Sequence, residues 1–259
     1  MNNLLKILIL SIFISGFGDA FAQKNAEALR RYYKKIGWFN KVKVGIDHKS
    51  GNSNYTTIES SFRTDYVHPS FESFLAASVE YKKGEKLLAN SGFIHLRGKH
   101  PLSNFFAVEA FLQKEYDDFI LLNDRNLAGA GARILPIDIS LDSSGRRFAV
   151  YLGIGFMYEN EVYATAPITE KNRIRSTNYL NILIEIAENI DLFSTTYYQV
   201  NAVELIDYRL FSQSTLKVGI GGNFSLTLET AFMYNNQPVG DVKKFDFEIK
   251  HGIAYNFEL

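Results

Sequence analysis

The sequence predicts an all-β protein: an antiparallel transmembrane β-barrel of about 12 strands, with a short N-terminal helical segment after a cleaved signal peptide. Three features lead there. The chain opens on a secretory leader. It then alternates apolar and polar residues almost to its last position. Its strand charges gather on one of the two faces.

Residues 1–22 are the leader. Lys6 gives a short positive start, an apolar stretch runs from Leu4 to Ile14, and Ala20-Phe21-Ala22 has the small-x-small form of a cleavage site. The apolar stretch is too short for a membrane-spanning helix. Residues 23–36, QKNAEALRRYYKKI, hold good helix formers with Leu29, Tyr32, Tyr33 and Ile36 near one face. They read as a basic, helical spacer, or as a basic helix on an anionic lipid surface. Residues 37–259 are the barrel.

Composition narrows the classes. The 259 residues contain no cysteine, which excludes a disulfide scaffold, a thiol nucleophile and a cysteine-ligated metal. The 28 basic and 28 acidic residues balance, so nucleic acid is not an expected partner. No later segment has 18 successive apolar residues, so the remaining way to cross a bilayer is a closed barrel.

From Trp38 onward the period is two. In the last segment Phe245, Phe247, Ile249, His251, Ile253, Tyr255, Phe257 and Leu259 share one face, while Asp246, Glu248, Lys250, Gly252, Ala254 and Asn256 share the other. The same rule gives segments at 38–49, 55–67, 71–82, 87–99, 104–115, 120–134, 147–159, 173–187, 190–202, 207–220, 223–235 and 244–258. An even number suits a bacterial outer-membrane barrel, and each segment exceeds the roughly 9–11 residues that cross a bilayer when tilted. His68-Pro69-Ser70, Lys99 to Ser103, Glu188-Asn189 and Gly221-Gly222 are short connections on one side. The connections at 160–172 and 235–243 are longer and fall on the other, as in such barrels. Residues 135–146 break this rule, being long on the short-turn side.

A soluble sandwich also alternates. The membrane reading is favoured because one face is nearly charge-free, and because aromatics recur near its strand ends: Tyr66, Phe71, Tyr81, Phe148, Tyr158, Tyr208, Phe224, Tyr234, Tyr255 and Phe257. Such residues form interfacial girdles.

Particular residues also suggest a family. The Trp38…Gly45…Gly51-Asn52 pattern, Asn123-Asp124-Arg125-Asn126 leading into LAGAGAR, and Asp241 to Asp246 followed by Gly252-Ile253-Ala254-Tyr255-Asn256-Phe257 resemble the salt-induced outer-membrane protein family, whose domain has no assigned function. The resemblance covers about 36–259. It implies an outer-membrane barrel and transfers no catalytic residues.

The chemistry is sparse. His48, His68, His95, His100 and His251 form no metal-pair motif. His95 is expected to face the lumen as a hydrogen-bonded member of a polar interior rather than a base. No G-x-S-x-G or other nucleophile signature occurs, so an enzyme is not expected, and a lipid hydrolase ranks last. Asp138, Ser140 and Asp142 have oxygen-ligand spacing, but a solvated turn is the stronger reading. No cofactor is expected.

The polar face supplies the candidate site. Glu59, Arg63, Asp65, Glu72, Glu80, Lys82, Arg97, Glu109, Arg125, Arg133, Glu159, Arg175, Glu185, Arg209, Lys217, Glu229, Asp246, Glu248 and Lys250 are expected to line the lumen. Their signs are mixed, which suits either an interior salt-bridge lattice or a narrow, weakly selective pore. Twelve strands lie between eight, which side chains fill, and 16–18, which leave a channel. The expectation is therefore a narrow channel for ions or small solutes, or a stress-response membrane protein. The alternative is a closed barrel that binds through its external loops. Expected surroundings are the outer membrane of a Gram-negative bacterium, its lipid and lipopolysaccharide, and the barrel assembly machinery during insertion.

Overall fold

The computed structural model describes residues 36–49, 55–84, 87–143 and 146–258. The expected signal peptide, all of the expected helix except Ile36, and the terminal Leu259 lie outside them.

Twelve strands form one closed antiparallel barrel: β1 (Gly37–Lys49), β2 (Tyr55–His68), β3 (Phe71–Lys83), β4 (Leu87–Pro101), β5 (Phe106–Asp117), β6 (Leu122–Ser140), β7 (Arg147–Tyr163), β8 (Thr169–Ala187), β9 (Ile190–Asn201), β10 (Tyr208–Gly221), β11 (Phe224–Asn235) and β12 (Phe245–Glu258). Every strand pairs with its sequence neighbours, and β1 pairs with β12 to close the ring. The closing ladder runs only from Phe39↔Glu258 to Val44↔Ile253, whereas β1 pairs with β2 along its whole length.

The two-residue period sorts side chains as lipid and lumen require. On β7, Leu152, Ile154, Phe156 and Tyr158 point outward and are exposed, while Tyr151, Gly153, Met157 and Glu159 are buried within. On β12 Phe245, Phe247, Ile249, Ile253 and Tyr255 are all exposed. At the end of the barrel with the short turns, Trp38 packs on Tyr66 and Phe224 on Tyr255, with ring centroids 4.9 and 4.8 Å apart. At the other end Tyr208 links Tyr198 and Tyr234 into a row. The interior is polar. Its buried apolar clusters are small: Phe74 with Ala76 and Phe93, and Phe211 with Ala231 and Met233.

Two expectations about connections are corrected. Residues 135–146 are not a long turn: β6 continues to Ser140, leaving 141–146 as the connection. A bulge between Ile134 and Ile137 shifts the register against β7. Pro136 sits in it, and proline cannot donate to a ladder. The bulge reverses inward and outward, so Arg133 and Asp138 both sit on the inner row although an even residue follows an odd one. A pattern search stops where that parity fails.

The 160–172 connection is also mostly strand, since β7 reaches Tyr163 and β8 starts at Thr169. What changes there is the outer face. Tyr158 Oη and Asn160 Nδ2 donate to Asn172 Oδ1 at 2.8 and 2.9 Å, and Asn160 also donates to Glu170. The apolar rhythm ends where the hairpin leaves lipid, while the ladder goes on into water.

Candidate functional site in the barrel lumen

Three layers of inward side chains fill the lumen, and the strands' common inward rows bring them together.

The layer at the loop end is an arginine–carboxylate belt. Glu159 on β7 is at its centre. Its Oε1 accepts from Arg125 Nε on β6 (2.9 Å) and Arg209 Nη1 on β10 (3.0 Å), and its Oε2 accepts from Arg175 Nε on β8 (2.6 Å). Arg125 Nη1 also donates to Glu115 on β5 at 2.6 Å. Arg175 Nη2 donates to both carboxylate oxygens of Asp207 at 2.9 Å. Arg209 Nη2 lies 2.9 Å from Glu161, which also accepts from Arg173. The four arginines 125, 173, 175 and 209 thus meet the four carboxylates 115, 159, 161 and 207. Glu159 and Arg175 have no solvent exposure. A buried charge of this kind is tolerated only when paired and hydrogen-bonded on several sides.

The middle layer holds two lysines. Lys43 on β1 lies 2.8 Å from Glu229 and 3.6 Å from Glu59. Lys250 on β12 lies 3.3 Å from Glu59 and 3.1 Å from Glu248, and it also pairs with Glu80 on β3. The last contact spans β1 and β2. Lys217 is paired separately with Asp191 at 2.6 Å.

The third layer is aromatic and basic. Arg63 Nε donates to Asp65 at 2.8 Å and its guanidinium lies 3.6 Å from the centre of the Phe74 ring. His95 stacks between Phe74 and Phe111, with centroids 5.4 and 5.5 Å away. Its Nδ1 meets Gln113 Oε1 at 2.7 Å, and its Nε2 accepts from Arg97 Nε at 3.3 Å. An amide oxygen can only accept, so the proton is on Nδ1. Across the lumen Tyr179 on β8 donates to Glu109 on β5 at 2.8 Å. Arg97 pairs with the same oxygen at 3.3 Å. Tyr179 fits because β7 offers it Gly153: a Cβ there would lie 2.0 Å from the ring. Arg133 lies 4.4 Å over the ring of Tyr151.

The two ends differ. Asn236–Lys244, between β11 and β12, crosses the loop-end mouth as a strap. Gly240, with φ +59°, turns its chain so that a Cβ would lie 3.7 Å from Leu121 Cδ1. Leu121 lies between β5 and β6, on the opposite wall of the ring. Gln237 Nε2 donates to Glu204 and Asn236 Nδ2 to the Ile206 carbonyl, tying the strap to the β9–β10 connection. Between strap and belt a small cavity of about 40 Å³ remains, lined by Glu115, Arg125, Glu161, Arg209, Asp246 and strap residues Pro238, Val239 and Val242. At the short-turn end a vestibule of about 380 Å³ lies among Glu72, Lys99, Arg133, Asp138, Arg147 and Tyr151.

Most of the expected lumen residues therefore sit in these layers or cavities. Glu72 pairs with Lys99 in the vestibule at 2.6 Å. Glu185 accepts from the Arg147 backbone N–H at 2.9 Å, and Lys82 is buried within. Sequence reasoning missed Lys43, Glu115, Glu161, Arg173 and Asp207. Glu115 closes the expected 104–115 segment and Arg173 opens the expected 173–187 segment, so strand parity carries both, while Glu161 needs the end of β7 extended past 159. Asp207 opens the expected 207–220 segment on the same parity as Arg209, although in the structure it lies in the connection just before β10. The proposed oxygen-ligand set is dispersed: Asp138 pairs with Arg147 and Asp142 with Arg146. Among the described residues no group of three or more His, Asp or Glu is arranged to hold a metal.

Residues 42–257 match the family model described as "Protein of unknown function, DUF481". The chain belongs to this family. The model covers all twelve strands and carries no activity. No curated protein matches. Among solved structures, the chain is similar to the COG4313 outer membrane channel from Pseudomonas putida F1, at 8% identity and TM-score 0.53, over 92% of this chain and 100% of that one. It is also similar to the KdgM porin (11% identity, TM-score 0.48, 85% and 99% covered) and the NanC porin (11%, 0.46, 85% and 100%). At such identities the likeness concerns the fold, which is that of porin-like outer-membrane barrels.

Proposed function

We propose that this member of the family is a narrow outer-membrane channel for ions and small solutes, closed at its loop end in the state described. The observation that carries the reading is the order of parts along the lumen. A vestibule of about 380 Å³ leads to charged layers of both signs, and, among the described residues, side chains and one surface strap stand between those layers and the far mouth. Each obstruction can move without unzipping the barrel. Mixed charge along the path supports weak ion selectivity rather than a filter for one sign. The exposed apolar row and the aromatic girdles support a place in a lipid bilayer. A Gram-negative outer membrane, with its lipid and lipopolysaccharide as surroundings, the assembly machinery as partner during insertion and residues 1–22 as the export signal, completes this reading.

The zero exposure of Glu159 and Arg175 favours a second reading, a permanently closed barrel with a structural or surface-binding role. Planar-bilayer conductance of the refolded mature protein separates the two, with folding followed by heat-modifiable gel migration. Discrete, reproducible steps are expected. Joint replacement of Arg125, Arg175 and Arg209 by Gln should move the reversal potential toward cation preference. A folded barrel that stays silent overturns conduction and leaves the closed barrel.

A further inference from the structure

Two opposite walls of the lumen satisfy their polar groups differently. On β3–β5 the inward side chains are packed and bonded. His95 stacks between Phe74 and Phe111 and is bonded to Gln113 and Arg97, and Ala76 is sealed beside Phe74 and Phe93. Strands β9–β11 stand across the ring from these. There Thr195, Thr215 and Ser225 point inward and are 0, 5 and 1% exposed. Among the described residues, none of the three hydroxyl oxygens meets a hydrogen-bond partner. The hydroxyl is the whole polar content of each of these side chains, so nothing else on them compensates.

Register joins the three into one line. Thr195 faces Gln213 and Phe193 faces Thr215, so the two threonines are diagonal neighbours on the inner row. Along β10 the next inward positions are Lys217 and Gly219, and Gly219 faces Ser225 on β11. The line therefore descends from mid-lumen to the short-turn end. At its foot Lys217 pairs with Asp191, and both side chains are partly exposed. Solvent thus already reaches the bottom of this wall. A buried hydroxyl without a partner is destabilising, whereas water supplies it with both a donor and an acceptor. The packed arrangement carries that penalty along β9–β11, and hydration of this wall relieves it.

We propose that the lumen opens along the inner faces of β9–β11. Water enters past Asp191 and Lys217 and reaches Ser225, Thr215 and Thr195 in turn, while β3–β5 stay packed. Use of this track by solutes rests on the channel reading, but its test does not require conductance.

The chain contains no cysteine, so single thiols can be placed at will. Thr195→Cys, Thr215→Cys and Ser225→Cys probe the track. Ala76→Cys on β3 and Met157→Cys on β7 are the references, at 0 and 2% exposure. All five positions are buried, so burial alone gives similar rates. The folded mature protein in lipid vesicles is treated with 2-hydroxyethyl methanethiosulfonate, a small neutral thiol reagent, and modification is followed by intact mass. Track cysteines should react at least about tenfold faster than the references, as expected where opening removes the cost of an unpaired hydroxyl. Equal rates in the two sets, or faster reaction at the references, overturn the track. Thr195→Val combined with Thr215→Val keeps side-chain shape and removes two orphaned hydroxyls, and it should slow modification of Ser225→Cys several-fold. An unchanged rate overturns the role of the hydroxyls. The three track positions report independently, so one variant that fails to fold leaves the comparison intact. Fast track labelling in a barrel that never conducts would retire conduction and keep the track. Conductance with no labelling preference would do the reverse.

Discussion

The two ends of the lumen are built from the same residue types and have opposite character. At the loop end, four arginines and four carboxylates are packed against one another under a strap, and the central pair is sealed from solvent. At the short-turn end, arginine, lysine and carboxylates stand around an open vestibule. Composition does not separate these regions. Spacing does: in the belt Glu159 and Glu161 are each reached by arginines from three strands, β6, β8 and β10, whereas the vestibule pairs join neighbouring strands. A buried lattice resists change at any member, while an open ring of pairs is adjustable.

The largest expected effect comes from breaking the belt. Glu159→Ala would leave Arg125, Arg175 and Arg209 facing one another without their shared partner. Removing one member of a buried pair costs about 3–5 kcal/mol, so the unfolding midpoint in urea, read by gel migration, should fall sharply. A near-neutral result would mean that water or ions already enter the belt, and the contrast between the ends would collapse.

Next is the wall that supports Tyr179. Gly153→Ala places a methyl where the ring now lies, and overpacking of this kind costs about 1–3 kcal/mol. The same substitution at Gly219, where a Cβ would be 3.4 Å from Asn189, should be mild. Equal effects on urea unfolding at the two sites would remove the special role of the Gly153–Tyr179 contact.

The strap should matter more for passage than for stability. Replacing 237–242 by a short Gly-Ser turn should shift unfolding by less than about 1 kcal/mol, because loop length enters only logarithmically. Single-channel steps should become larger. Steps of unchanged size would assign the restriction to the belt alone.

The smallest effect belongs to the vestibule. Glu72→Ala removes a partly exposed pair with Lys99, and such pairs contribute less than about 1 kcal/mol. Unfolding should barely move. A loss comparable to that of Glu159→Ala would show that the two ends are coupled.

Much of this was legible in the chain itself. The alternation from Trp38 onward located all twelve strands, because lipid outside and polar groups inside impose a period of two. It also separated the charged row from the apolar one. It failed where its physical cause stopped. At Pro136 a bulge reversed parity, so β6 was cut short and Asp138 was assigned to a loop. At Asn160 and Asn172 the outer face turned polar above the bilayer, so strand residues were taken for a connection and Glu161 was overlooked.

Local periodicity along each strand is enough to give the barrel, its strand number and the alternation of an apolar with a charged row. Closure of the ring adds which inward charges meet, that Asp207 joins them from a connection, that Gly153 makes room for Tyr179, and that the strap reaches Leu121 across the mouth. Those contacts join residues from strands that are distant in sequence. Their partners are set by closure and stagger of the whole ring, which no single segment encodes.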